Sequence, residues 1–162
     1  MDTNTFNNLI SQTWPDLHVA STLGGGTFGT VYACTKTDAV TGVTQKEAVK
    51  VVRVDFTPED RANAEEEGIP FADYYRAVKE KRLQEIRWMV ALKSPHSVHI
   101  NGYTAIEEPD LSALYILIRM DCLTALDQLR PAHLDDTPEQ AAALAEKVAL
   151  DICDALRVCH QN

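Results

Sequence analysis

Basic charge is what this sequence has least of. Its 162 residues carry 15 Lys and Arg against 24 Asp and Glu, a formal net charge of −9. A nucleic-acid surface needs a basic stripe, so that class is excluded, and an anionic membrane face is disfavoured for the same reason. A local basic pocket for a phosphate remains open. Cysteine is sparse too: Cys34, Cys122, Cys153 and Cys159 form no C-x-x-C pair. They are too few for a disulfide scaffold and fall mostly in apolar runs, so buried free thiols are expected. His18, His96, His99, His133 and His160 are scattered, with no pair placed for a plausible metal site. No apolar run approaches the about 20 residues of a membrane span. Met1 to Thr5 is neither basic nor apolar, which excludes a leader of the secretory kind. There is no internal repeat and no low-complexity tract. With 45% hydrophobic and 24% charged residues, one ordinary cytoplasmic domain is expected.

Glycine is present where it matters. The stretch Leu23-Gly24-Gly25-Gly26-Thr27-Phe28-Gly29-Thr30-Val31 fits G-x-G-x-x-G through Gly24, Gly26 and Gly29. Without a Cβ, such a backbone can approach a polyphosphate and turn its N–H groups toward the oxygens. The spacing alone is shared with dinucleotide-binding folds, where the last glycine opens a helix. Here Val31-Tyr32-Ala33-Cys34 is a β-type run, so a strand–loop–strand hairpin is expected and the dinucleotide reading fails. An ordinary glycine-rich turn is the plain alternative.

The rest of the chain reads as alternating strands and helices. Phe6, Leu9, Ile10 and Trp14 space a short amphipathic helix that should pack on the first sheet. Strands are expected over 17–23, 30–36, 44–54, 98–106 and 114–120, the last apolar enough to be buried on both sides. Thr57 before Pro58, Glu59 and Asp60 reads as a helix start, and Gly68-Ile69-Pro70 as its stop. Glu65, Glu66 and Glu67 read as a solvated face. A long helix over 71–93 places Val78, Arg82, Glu85, Met89 and Leu92 at helical spacing. A glutamate on that inward stripe needs a cation, and Lys50 in the third strand is its natural partner. A short helix is expected over 124–130. Thr137-Pro138-Glu139-Gln140 is a capping box opening a helix to about His160.

Three of these features in order carry a resemblance. Gly24-x-Gly26-x-Phe28-Gly29-x-Val31, then Ala48-x-Lys50, then Glu85-Ile86-x-x-Met89-x-x-Leu92 resemble the glycine loop, strand lysine and signalling helix of a eukaryotic-type protein kinase. The resemblance implies an α+β fold. Residues 1–120 would be a kinase-like N-lobe, a five-stranded antiparallel sheet and one long helix behind an N-terminal helical extension. Residues 121–162 would be the hinge and the first two helices of an incomplete C-lobe. It implies ATP as ligand. Backbone from Gly24, Gly25, Gly26, Thr27, Phe28 and Gly29 would cradle the phosphates, and Lys50, held by Glu85, would reach them. Leu23, Val31, Ala48 and Leu123 would sandwich the adenine. Met120 would be the gatekeeper before a hinge at Asp121-Cys122-Leu123, with Ile118 the alternative register. Cys122 reads as a thiol without chemistry.

The match covers only the first half of such a domain. The sequence contains no His-Arg-Asp, and Asp55-Phe56-Thr57 is no metal-binding Asp-Phe-Gly, because it precedes the long helix and lacks the glycine. Two readings follow. One is the ATP-binding half of a serine/threonine-type kinase, with magnesium and a protein substrate belonging only to a complete parent. The other is a stand-alone, non-catalytic module that binds a nucleotide or a partner. In either case the apolar face Leu144, Val148, Ile152, Leu156 and Cys159 is expected to self-associate through 138–160, or to fold back.

Overall fold

The computed structural model describes residues 3–27, 29–92, 94–125, 128 and 136–161. Five strands, β1 (His18–Gly26), β2 (Gly29–Thr37), β3 (Thr44–Asp55), β4 (Ile100–Glu107) and β5 (Ala113–Asp121), form one antiparallel sheet in the order β1-β2-β3-β5-β4. Among the described residues four helices accompany them: α1 (Thr3–Thr13), α2 (Pro58–Glu66), α3 (Phe71–Ala91) and α4 (Pro138–Gln161). The α+β class, the antiparallel sheet and every expected strand are therefore observed. The helix expected over 124–130 lies almost wholly outside the described residues.

The sheet is buried on both faces because β3 and β5 are apolar at successive positions, whereas a half-solvated strand would alternate. On one face Tyr32, Cys34, Val49, Val51, Ala113, Tyr115 and Leu117 meet Ile10 and Leu17. Phe6, Leu9 and Trp14 flank them, so α1 covers this face as its apolar spacing required. On the other face Leu114, Ile116, Ile118 and Ile100 meet Phe56, Tyr75, Leu83 and Ile86, and α3 is the cover. Each fully buried aliphatic side chain stabilises the fold by about 1.5–3 kcal/mol. Arg119 and Glu47 add a bidentate pair at the sheet edge, with Nη2 donating to Oε1 at 2.8 Å and Nε to Oε2. The same guanidinium lies 3.9 Å from Asp16, tying the connection between α1 and β1 to β5.

The helix ends form as their residues dictate. The Thr57 hydroxyl accepts from the Asp60 N–H at 3.2 Å, and the Asp60 carboxylate accepts from the Thr57 N–H at 2.7 Å. Thr137 and Gln140 repeat that exchange at 3.3 and 2.8 Å at the start of α4.

Two expectations are corrected. Of the four free cysteines only Cys34 is buried; Cys122 is half-buried, and Cys153 and Cys159 are exposed because α4 buries none of its residues. The inward stripe of α3 is Tyr75, Leu83 and Ile86, with Val78 packed beside them as expected, whereas Glu85 and Met89 are exposed. Successive helical residues step by about 100° around the axis, so a stripe read one position out puts its glutamate at the margin.

Candidate functional site

The glycine stretch is a hairpin. Gly24 pairs with Val31, Gly25 with Thr30 and Gly26 with Gly29, and Thr27 lies in the turn between the strands. Phe28 lies outside the described residues. The glycines fall into two kinds. Gly29 has φ +110°, and a Cβ there would stand 2.2 Å from the Val51 carbonyl oxygen, so the fold itself demands glycine where the hairpin crosses β3. At Gly24 and Gly26 a Cβ would meet nothing within 4 Å. Glycine inside a strand forgoes side-chain packing, and no neighbouring atom requires it at these two positions. Their backbone is left open to whatever approaches from outside.

Beneath the hairpin lies a cavity of about 300 Å³ between β3, β5 and α3. Thr27, Lys50, Arg53, Arg82, Glu85 and Ile118 line it, with aliphatic groups from both walls. Lys50 reaches it because β3 alternates. Val49 and Val51 face the α1 side, whereas Lys50, Val52 and Val54 face α3. Val31 and Ile118 are the cross-strand partners of Lys50, and Met120 is that of Ala48. Val31, Ala48, Lys50, Ile118 and Met120 therefore share one face. Of the two gatekeeper candidates, Ile118 is a wall of this cavity, and Met120 packs with the α3 core.

The cavity gathers three cations in a chain of net charge −9. Two are matched. Arg53 stands 2.5 Å from Asp55, and Arg82 stands 3.5 Å from Glu85, one helical turn along α3. Lys50 is half-buried and has no ion-pair partner among the described residues. The expected Lys50–Glu85 pair is thus corrected: both side chains line the cavity, but Glu85 answers to Arg82. Its side chain, 46% exposed, remains hydrated enough to do without the lysine. Arg82 was overlooked from sequence as a site residue. Its place three residues before Glu85, on the same side of a helix, was the available signal.

The remaining expected residues are not among those that line this cavity. Leu23 and Leu123 are exposed at the ends of β1 and β5, and Ala48 is buried between Ala33 and Met120. Asp121 donates its N–H to the His99 carbonyl at 3.1 Å and accepts from the Asn101 amide at 3.2 Å. After it, Cys122 and Leu123 make no backbone hydrogen bond among the described residues, leaving a free main-chain edge. Cys34 behind β2 is inert, since burial pushes its thiol up to about 11. Among the described residues no group of three His, Cys, Asp or Glu side chains could hold a metal ion, and no helix is long and apolar enough to cross a membrane.

No protein-family model matches the sequence, and no curated protein matches it.

Proposed function

We propose that these 162 residues are the nucleotide-binding half of a serine/threonine-type protein kinase domain, with ATP as ligand. The observation that carries the reading is Lys50, a half-buried ammonium facing a cavity under a glycine hairpin with no ion-pair partner among the described residues. A cation so placed is best satisfied by an anion from outside, and a polyphosphate supplies one where Gly24 and Gly26 leave backbone open. The apolar side chains Val31, Ala48 and Ile118 on the face of Lys50, with main-chain groups at Cys122 and Leu123 that make no backbone hydrogen bond among the described residues, suit a planar base with hydrogen-bonding edges.

The residues hold and orient; they do not complete a transfer. Phosphoryl transfer rests on positioning and charge stabilisation around an aligned hydroxyl, and the sequence offers no His-Arg-Asp base. The 162-residue chain is therefore expected to bind nucleotide without phosphorylating itself or a general substrate. Titration with a non-hydrolysable ATP analogue, followed by backbone amide shifts, tests the reading. Shifts should concentrate at 24–31, 48–50 and 121–123. Shifts confined to α4, or none at millimolar ligand, would overturn it. The second reading, a non-catalytic partner-binding module, is favoured by one observation, the uncovered apolar face of α4.

A further inference from the structure

A side chain on the turn between α3 and β4 ties the sheet half to helix α4. His96 sits over two carboxylates of α4, with Nδ1 at 3.6 Å from Asp151 Oδ1 and Nε2 at 3.8 Å from Asp154 Oδ2. Each carboxylate divides its oxygens. Asp151 gives Oδ2 to Lys147 at 2.7 Å, and Asp154 gives Oδ1 to Arg157 at 2.6 Å. The oxygens left over are the ones that face the imidazole. The helix's own cations thus aim both carboxylates. The Asp151 carboxyl lies below its ordinary range, through Lys147 first and then through the charge on His96.

A neutral imidazole has one N–H and one lone pair, so it can satisfy one carboxylate while turning its lone pair on the other. Only the imidazolium donates from both nitrogens. We propose that His96 is a proton-operated latch joining the turn at 94–99 to α4, closed when His96 is protonated and loosened when it is neutral. Asp151 and Asp154, with Lys147 and Arg157 behind them, are the charged groups that face it from α4. On its own turn the neighbours are Ser94, whose hydroxyl accepts from the His96 N–H at 3.1 Å, and Ser97. Elsewhere α4 buries no residue fully, although Leu144, Val148, Ala155 and Val158 are half-buried. The latch does not depend on a nucleotide, and its test is separate from that of the ligand.

Imidazole protonates across the pH range just below neutrality. Amide hydrogen exchange of the whole chain, corrected for intrinsic rates, should therefore show residues 97–100 and 147–158 about threefold better protected at pH 5.5 than at pH 8, as suits a half-exposed pair. The difference should vanish in His96→Asn and in the double variant Asp151→Asn with Asp154→Asn, both of which keep the shapes. Equal protection at the two pH values in the parent chain would overturn the latch. So would a pH effect that persists in His96→Asn.

Discussion

The sheet half and α4 hold similar side chains in opposite circumstances. Leu117 in β5 is 0% exposed between α1-side neighbours, whereas Leu156 in α4 is 51% exposed. Both sit in strongly apolar segments, and the sequence pattern alone would bury both. What differs is the partner. β5 has a strand on each side and a helix over each face, whereas α4 fully buries none of its residues. Burial is a property of pairs of surfaces, and a pattern in one of them says only that a surface is offered.

The sharpest way to break this comparison is to truncate the same residue in both places. Leu117→Ala should cost about 2–5 kcal/mol in urea unfolding, the range for a buried leucine in a packed core. Leu156→Ala should stay within about 1 kcal/mol. Equal losses would mean that α4 is covered in solution. A second copy is the cover we expect, through Ile152, Leu156 and Cys159. Light scattering at micromolar concentration should then show association that Ile152→Glu abolishes. A parent chain that scatters as a monomer would remove that partner.

Within the glycine hairpin the same kind of contrast is smaller. Gly29→Ala forces a side chain into a left-handed backbone against the Val51 carbonyl, and about 1–3 kcal/mol of strain is expected. Gly26→Ala meets nothing and should leave stability within about 0.5 kcal/mol while weakening nucleotide binding. Lost stability without lost binding at residue 26 would reverse the assignment of structural and ligand-facing glycines.

The smallest effect expected is at the start of α2. The Asp60 carboxyl is held below its ordinary value because the Thr57 N–H and hydroxyl both donate to it. A carboxyl depressed on folding contributes stability above the ordinary carboxylate range and loses it as pH falls through the lowered value. Carboxyl carbon shifts followed from pH 6 to 2 should show Asp60 titrating below its ordinary value, and Thr57→Val, which keeps the N–H but removes the hydroxyl, should raise it part of the way. An unchanged midpoint in Thr57→Val would dismiss the cap as the cause.

Most of the fold was legible because the signals were local. Thr57-Pro58 with Asp60, and Thr137-Pro138 with Gln140, fix helix starts through bonds spanning three residues. The unbroken apolar run of β5 announced a strand buried on both faces. The site was legible only in part, because it depends on angles and rivals that a sequence does not state. Lys50 could be placed from strand alternation, but the partner of Glu85 was decided by competition between a lysine across the cavity and an arginine on its own helix. The shorter reach won. The cysteines of α4 failed for the reason Leu156 did: an apolar setting in sequence is no cover.

The central claim is that the unpaired Lys50 receives a polyphosphate. Calorimetric titration of the parent chain and of Lys50→Ala with a non-hydrolysable ATP analogue tests it most directly, with circular dichroism to establish that the variant is folded. A hydrogen bond to a charged group contributes about 1.5–3 kcal/mol, and 1.4 kcal/mol is tenfold in affinity, so the variant should bind at least about tenfold more weakly. A folded Lys50→Ala protein that binds the analogue as tightly as the parent chain would contradict the account.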